Sequence, residues 1–284
     1  MNVRRSDEER IPPMLERISD YVSWYAERQP EAQAMALDGR YTSYAELQQR
    51  IDAVARALVA AGVQRGDRVA TLSTPHPDFW VIFLATASIG AIWVGLNPRY
   101  QLDEYRYVIG DSEPVLLLAR TQIAERNYAA DLATLRAETK SIRQLIVLND
   151  DPLVPDSLSM AAFLKSGEWL SDQDLAKRRA EVQAQDPALI VYTSGSTGRP
   201  KGALLPVPLL CSVRFGTTDP AVAFTEPKGA LLPHRGLVRC CRNQMRYWIA
   251  DPVRVVNFLP VNHIGCVGDL SSWTLVAGGC IVFM

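Results

Sequence analysis

The sequence predicts an α/β fold in which mostly parallel sheets are covered by helices. Short apolar runs that are typical of buried strands alternate with helical patterns along the chain, and this order favours parallel strands joined by helical crossovers. One run, 114–119, is apolar throughout, as expected of a strand that is buried on both faces. Hydrophobic residues make up 48% of the 284 positions and charged residues 21%, which is typical of a globular protein.

Local patterns predict the helices and strands in order. Ser43 to Glu46 has the pattern of a capping box, apolar residues follow it at helical spacing, and Gly62 is placed to end that helix. The alternation then continues with these elements: strand 68–73, a helix from Phe79, strand 92–96, helix 102–110, strand 114–119, helix 121–138, strand 144–148, strand 188–193, helix 235–249, strand 254–259, helix 267–277 and strand 280–284.

The segment from Phe79 to Pro98 carries no charge over twenty residues and is long enough to span a bilayer. The alternative is a buried helix that runs directly into a buried strand, with Gly90 near the join. Asp78 and Arg99 flank the segment closely, and the patterning on both sides is that of an α/β protein. We therefore expect a helix and a strand here, and no transmembrane span.

The chain is expected to comprise three parts. Residues 1–18 form a flexible lead-in, 19–185 a first α/β subdomain, and 186–284 a second α/β subdomain with an inserted loop near 206–232. The weakly patterned stretch 150–174 contains prolines and serines and is interpreted as a connection between the subdomains. The chain stops at a strand without a helix to cover it, so we expect the second subdomain to be truncated.

The net charge and the cysteines bear on the partners of the chain and on its cellular compartment. Thirty basic and 31 acidic residues give a net charge of −1, so no overall field favours nucleic acid or an anionic membrane. The five cysteines form no CxxC pair, and the adjacent Cys240 and Cys241 are poorly placed for a disulfide, which favours a reducing, cytoplasmic compartment. Met1 to Arg10 lacks the apolar core of a secretory signal.

A candidate phosphate-binding loop follows the strand that ends near Thr193. Glycines allow backbone N–H groups to approach an anion, hydroxyls add hydrogen bonds, and Lys201 supplies positive charge. The loop lacks the spacing of a Walker A motif and of a dinucleotide-binding motif. A flexible surface turn is the alternative for so short a Gly/Ser motif. The candidate phosphate ligands are Thr193, Ser194, Gly195, Ser196, Thr197 and Gly198.

Residues Tyr192 to Gly202, YTSGSTGRPKG, closely resemble the signature loop of the adenylate-forming superfamily, which includes acyl-CoA synthetases, luciferases and the adenylation domains of peptide synthetases. Further stretches resemble landmarks that members carry in the same order: Arg40 to Glu46, Gly66 to Ala70, Gly95 to Tyr100, Pro233 to Leu237 and Phe258 to Gly265. The resemblance implies an incomplete form of the large N-terminal domain of an acyl-CoA synthetase.

The resemblance also implies a two-step reaction. A carboxylate attacks the α-phosphorus of Mg-ATP to give an acyl-adenylate, and the thiol of coenzyme A then displaces AMP. ATP, Mg²⁺ and coenzyme A are the implied cofactors, and a small carboxylic acid is the implied substrate. Lys201 matches the lysine of the loop, and His263 matches a position at the junction of the acid and nucleotide pockets. A packed histidine at a strand end is the alternative for His263.

A repeat interrupts the family-like sequence. Pro200 to Pro206, PKGALLP, recurs as Pro227 to Pro233, and the two lysines lie 27 residues apart. Removing 206–232 restores a continuous family-like string, so we expect residues 206–226 to form an irregular, exposed excursion. We also expect only one of the two copies to continue the strand that follows the loop.

The family places its adenine, ribose and magnesium landmarks, and a mobile domain with a catalytic lysine, after the position that corresponds to Met284. We therefore expect the chain as given to bind ATP weakly and to make no measurable acyl-CoA, although the family is one of AMP-forming acid–thiol ligases. The alternative is a non-catalytic truncated relative or a broken-gene product with at most weak ligand or partner binding.

Overall fold

The computed structural model describes residues 12–149, 151–194, 200–201, 229–245, 247 and 252–284. Helices and strands alternate through these ranges. The α-helices are α1 (Asp20–Arg28), α2 (Tyr44–Ala60), α3 (Pro77–Ser88), α4 (Leu102–Ser112), α5 (Ala129–Glu138), α6 (Met160–Lys165), α7 (Asp172–Ala180), α8 (His234–Gln244) and α9 (Trp273–Val276), and a π-helix (Gly265–Ser272) precedes α9.

The strands begin and end as follows: β1 (Gln33–Leu37), β2 (Arg40–Ser43), β3 (Arg68–Leu72), β4 (Ile92–Leu96), β5 (Leu116–Ala119), β6 (Gln122–Ile123), β7 (Arg126–Asn127), β8 (Gln144–Val147), β9 (Ser157–Ser159), β10 (Pro187–Val191), β11 (Thr193–Ser194), β12 (Pro200–Lys201), β13 (Ala230–Pro233), β14 (Arg254–Asn257) and β15 (Cys280–Phe283).

Two sheets organise the fold. The larger has seven strands in the order β13-β10-β4-β3-β5-β8-β9, and its pairings are parallel except at β13, which runs antiparallel to β10. The smaller has the order β14-β15-β1-β2, with β14, β15 and β1 parallel and β2 antiparallel. The predicted α/β class with mostly parallel sheets is therefore confirmed.

Helix α3 lies between the two sheets. The Phe79 ring is 5.8 Å from the ring of Phe283 in the smaller sheet, and the Phe83 ring is 5.6 Å from the ring of Trp93 in the larger one. Every residue of α3 except Asp78 is buried, because apolar layers cover the helix on both sides. The uncharged segment is thus a buried helix followed by β4, and no described helix is both long and apolar enough to cross a membrane.

Helices α4 and α5 cover the opposite face of the larger sheet. Tyr105 and Val108 of α4 and Leu132 of α5 belong to a second apolar cluster, which includes Val94 and Leu117 from the sheet. Helix α4 ends at Ser112, close to the start of the phosphate-loop hairpin described below. The parallel sheet is therefore covered by helices on both faces, as its alternating sequence pattern predicts.

The capping box at the start of α2 is present as predicted. The Ser43 hydroxyl accepts a hydrogen bond from the Glu46 backbone N–H at 3.2 Å, and the Glu46 carboxylate accepts one from the Ser43 N–H at 2.7 Å. These bonds satisfy backbone donors that the first turn of a helix leaves unpaired. Helix α2 ends at Ala60, two residues before Gly62.

The helix predicted over 121–138 is wrong in its first half. The β6–β7 hairpin occupies residues 122–127, and α5 begins only at Ala129. The Asp151 carboxylate accepts hydrogen bonds from the backbone N–H groups of Thr121 and Gln122, at 2.9 and 3.1 Å. The Asp151 carboxylate therefore binds the backbone N–H groups at the position where the predicted helix would begin. Asp151 is about thirty residues away in sequence, so the local pattern does not reveal this contact.

Other predicted boundaries also differ. The stretch 150–174 contains β9, α6 and the start of α7, and α8 ends at Gln244 rather than at 249. The single helix predicted over 267–277 is a π-helix followed by α9. The buried Asn257 side chain donates to the Cys266 carbonyl at 3.1 Å and to the Ser271 hydroxyl at 2.7 Å, and this insertion of a polar group accompanies the wider helical turns.

His234, the first residue of α8, is completely buried. Its Nδ1 atom accepts a hydrogen bond from the Ile18 N–H at 3.4 Å, and its own backbone N–H donates to the Asp186 carbonyl at 3.1 Å. Burial, together with the nearby Arg17 cation, lowers the pKa of His234 to about 4, and the Asp186 carboxylate opposes this shift. The folded protein therefore holds this imidazole neutral.

We predict that acid weakens the fold through His234. Below about pH 6.5 the unfolded state binds a proton at this imidazole and the folded state does not, so stability falls as the pH falls towards 4. The expected loss from this group between pH 7 and pH 5 is about 2 kcal/mol in the free energy of unfolding. Urea unfolding of His234→Gln should lack this component, whereas His263→Gln should keep it. An unchanged pH dependence in His234→Gln would contradict the assignment.

Candidate functional site

The candidate phosphate loop emerges from a strand of the larger sheet as a hairpin. Strand β10 ends at Val191, and after Tyr192 the short strands β11 and β12 pair antiparallel, with Thr193 opposite Lys201 and Ser194 opposite Pro200. The residues predicted to bind phosphate at the tip, Gly195, Ser196, Thr197 and Gly198, lie outside the described residues. The hairpin stem (193–194 and 200–201) therefore lies at the carboxyl end of β10.

The carboxyl end of β4 lies beside this stem. Strands β10 and β4 are parallel neighbours, with Leu189 opposite Trp93 and Ile190 opposite Val94. The residues that follow the two strands therefore leave the sheet at the same edge. In open α/β sheets, ligands bind outside the carboxyl ends of the parallel strands. The position of the stem is the one that a nucleotide-binding loop requires.

The segment 259–263 packs against the end of β4 at Gly95. A Cβ atom at Gly95 would lie 2.8 Å from the Val261 carbonyl oxygen and 2.9 Å from the Asn262 Cα, so only glycine allows this approach. A hydrogen bond also joins the Asn262 side chain to the phenol of Tyr100. The structure thereby brings together two of the landmarks that the sequence suggested, at the same end of the sheet as the hairpin stem.

His263 is exposed at this edge rather than packed at a strand end. Its Nδ1 atom accepts a hydrogen bond from the Gly265 backbone N–H at 3.0 Å. In the neutral imidazole the proton is then on Nε2, so that this atom is a hydrogen-bond donor. Next to it, the Asn262 side-chain oxygen is buried without a hydrogen-bond partner among the described residues. Of these two groups, the exposed imidazole is the one that a polar ligand can reach.

The two copies of the repeat contribute to different strands. Lys201 belongs to the first copy and pairs in the stem, whereas Ala230 to Pro233 of the second copy form β13. Continuing the β11–β12 register along β10 would place Ala203 opposite Val191, and the structure places Ala230 there. Ala230 is the equivalent of Ala203 one repeat later.

The strand that pairs with β10 is thus formed by one copy, the second, while the first copy supplies the stem. The two copies have the same sequence, so the second offers the same side chains in the same register, and the sequence alone does not distinguish them. The predicted excursion over 206–226 lies outside the described residues.

Sequence reasoning missed Asp111, at the end of α4, as a residue of this region. Its carboxylate accepts a hydrogen bond of 2.5 Å from the Tyr192 hydroxyl, directly before the stem. The two residues are 81 positions apart, and no motif links them. Only the packing of α4 against the end of β10 reveals the contact.

Known proteins resemble this chain in sequence and in structure. The AMP-binding enzyme family matches residues 22–217. The chain is 33% identical over 231 residues to the long-chain-fatty-acid–CoA ligase FadD15 of Mycobacterium bovis, which covers 80% of this chain and 33% of that protein. It is 34% identical over 264 residues to a feruloyl-CoA synthase of an Amycolatopsis species, which covers 92% of this chain and 43% of that protein.

A solved structure shares the fold. The acetoacetyl-CoA synthetase from Streptomyces lividans superposes with a TM-score of 0.73 over 94% of this chain and 38% of that chain, at 19% identity. The chain spans between a third and a half of the length of the curated relatives described above. The family match covers most of the chain and includes the hairpin stem. The chain therefore belongs to the AMP-binding, adenylate-forming enzyme family, of the acyl-CoA synthetase type.

Proposed function

We propose that this chain carries the phosphate-binding part of an enzyme that activates a small carboxylic acid with ATP and transfers the acyl group to coenzyme A. The observation that supports the proposal best is the hairpin stem. It holds Lys201 opposite Thr193 at the carboxyl end of a parallel strand. The segment that bears His263 lies at the same edge of the sheet, beside the neighbouring strand.

The first step must bring two anions together, a carboxylate and a triphosphate. Backbone N–H groups and hydroxyls of Thr193 to Gly198 are proposed to hold the β- and γ-phosphates, and the Lys201 ammonium to offset their charge. Mg²⁺, when bound to the phosphates, would offset the charge further. The residues suit this role, because an anion needs backbone donors, hydroxyls and a lysine rather than a cluster of carboxylates.

His263 is proposed to act on the acid. Its Nε2–H can donate a hydrogen bond to one oxygen of the substrate carboxylate. This bond would orient the second oxygen of the same carboxylate towards the α-phosphorus of ATP. The relatives include a long-chain-fatty-acid–CoA ligase and a feruloyl-CoA synthase. An aliphatic or aromatic carboxylic acid is therefore the proposed substrate class for the whole enzyme.

Calorimetric titration of the 284-residue chain with Mg-ATP, inorganic tripolyphosphate and adenosine tests the proposed phosphate site. We expect Mg-ATP and tripolyphosphate to bind and to compete with each other, because the proposed contacts are to phosphates. Adenosine, which lacks phosphates, should not displace tripolyphosphate. The proposal would be contradicted if neither phosphate ligand bound. It would also be contradicted if both bound but neither displaced the other.

A further inference from the structure

The phenol of Tyr192 links the hairpin stem to a helix on the face of the larger sheet. The Tyr192 ring is buried, and its hydroxyl donates a hydrogen bond of 2.5 Å to the Asp111 carboxylate at the end of α4. The residue that follows Tyr192 is Thr193, the first residue of β11. The contact therefore restrains the chain directly before the base of the hairpin.

The ring is also confined from the side of β13. A Cβ atom at Gly229, the residue before β13, would lie 2.3 Å from the Ile190 side chain and 3.0 Å from Cζ of the Tyr192 ring. Only a glycine can run this close to the ring. The phenol is thus enclosed between the backbone at Gly229 and the carboxylate on α4, and these contacts fix where the stem leaves the sheet.

The hydroxyl of Tyr192 remains a donor at neutral pH. Burial, together with the hydrogen bond and the negative charge of Asp111, raises the pKa of Tyr192 well above its usual value. A phenol that is largely removed from water needs an acceptor, and a carboxylate is a strong one.

We propose that Asp111 is a positioning residue for the phosphate-binding hairpin: through the Tyr192 hydroxyl it holds the backbone at Thr193 in register with Lys201. This inference rests on the proposed function, because it assigns the contact a role in phosphate binding. Asp111 does not touch the phosphates in this proposal. It limits the movement of the stem that presents them.

The experiment compares Asp111→Ala, Asp111→Asn, Tyr192→Phe and the double variant Asp111→Ala/Tyr192→Phe. Asp103→Ala is the matched control, since Asp103 is an exposed carboxylate on the same helix that pairs with Arg106. Each protein is titrated with tripolyphosphate and with Mg-ATP. Hydrogen exchange of the 193–201 segment is measured without ligand, with β3 and α3 as references for global stability.

We expect Asp111→Ala and Tyr192→Phe each to weaken tripolyphosphate binding by about five- to tenfold, and to speed exchange in 193–201 without a matching change in β3. The double variant should resemble the single ones, because all three lack the same hydrogen bond. Asp111→Asn should restore most of the binding, since its amide oxygen can still accept. Asp103→Ala should resemble the unaltered chain.

The outcomes separate this inference from the proposed function. If the unaltered chain binds no phosphate ligand but Asp111→Ala still speeds exchange in 193–201 selectively, the positioning role stands and the phosphate function fails. If the chain binds tripolyphosphate and Asp111→Ala changes neither binding nor exchange, the positioning role is wrong. Faster exchange throughout the protein would also overturn it, because the contact would then support the fold as a whole.

Discussion

Lys201→Ala is expected to weaken binding of Mg-ATP by about 10- to 100-fold, while Lys228→Ala leaves it within about twofold. A hydrogen bond between an ammonium and a phosphate is worth roughly 1.5–3 kcal/mol when the alternative is an unpaired charge, and this range corresponds to the expected loss. The backbone of Lys201 lies opposite that of Thr193, the first of the proposed phosphate ligands. Lys228 occupies the same place in the second copy of an identical heptapeptide.

Lys228→Ala is therefore a matched control, because the two lysines lie at the same position of an identical heptapeptide. Titration calorimetry at fixed ionic strength measures both variants, since phosphate binding depends on salt. If both substitutions weakened Mg-ATP binding equally, the affinity would depend only on the net charge of the protein and not on the position of Lys201. If only Lys228→Ala weakened binding, the phosphate site would belong to the second copy and the assignment to Lys201 would be wrong.

Deleting residues 203–229 is expected to stabilise the protein by up to about 3 kcal/mol in the free energy of unfolding. The deletion joins Gly202 directly to Ala230 and keeps the pairing of Ala230 with Val191, because the removed length equals the repeat. Lys201 and Ala230 are both held in strands, so folding brings the ends of the intervening 28-residue segment together at an entropic cost, which the deletion removes. Removing 206–232 instead gives the identical polypeptide.

A deletion that is one residue longer, 203–230, provides the control. The chain would then be one residue too short for β13, and a shift by one residue turns each side chain of the strand to the other face. Leu232, which is buried in the observed register, would have to exchange places with a neighbour. Urea unfolding should give a higher midpoint for the 27-residue deletion than for the 28-residue one. Equal midpoints would show that β13 does not depend on the register described here.

The sequence predicts the larger part of the fold because local and global signals agree there. The capping box at Ser43, the uncharged helix from Phe79 and the apolar strand at 116–119 each have one stable place in a layered α/β protein, and each lies where it was expected. The β1–β2 hairpin was missed. It completes a sheet whose other strands lie more than 200 residues further along the chain.

The candidate site was only partly predictable for a related reason. The positions of Lys201 and His263 follow from motifs, and the structure brings the segments of both to one edge of the larger sheet. The Tyr192–Asp111 contact and the tautomer of His263 depend on single hydrogen bonds between specific atoms, which no spacing rule encodes. The repeat is the clearest limit, since its two copies have the same sequence and offer β10 the same side chains in the same register.

The place of α3 between the sheets has a consequence for synthesis of the chain. Part of its apolar cover comes from the smaller sheet, in which β1 pairs with β15, Met35 opposite Ile281. Until the ribosome has added Phe283, the ring that packs on Phe79 does not exist, although the helix itself was made some two hundred residues earlier. Exposed apolar surface of this kind makes nascent chains prone to aggregation, and pairings between residues so far apart form slowly. We therefore expect production of the protein to depend on chaperones that bind hydrophobic helices.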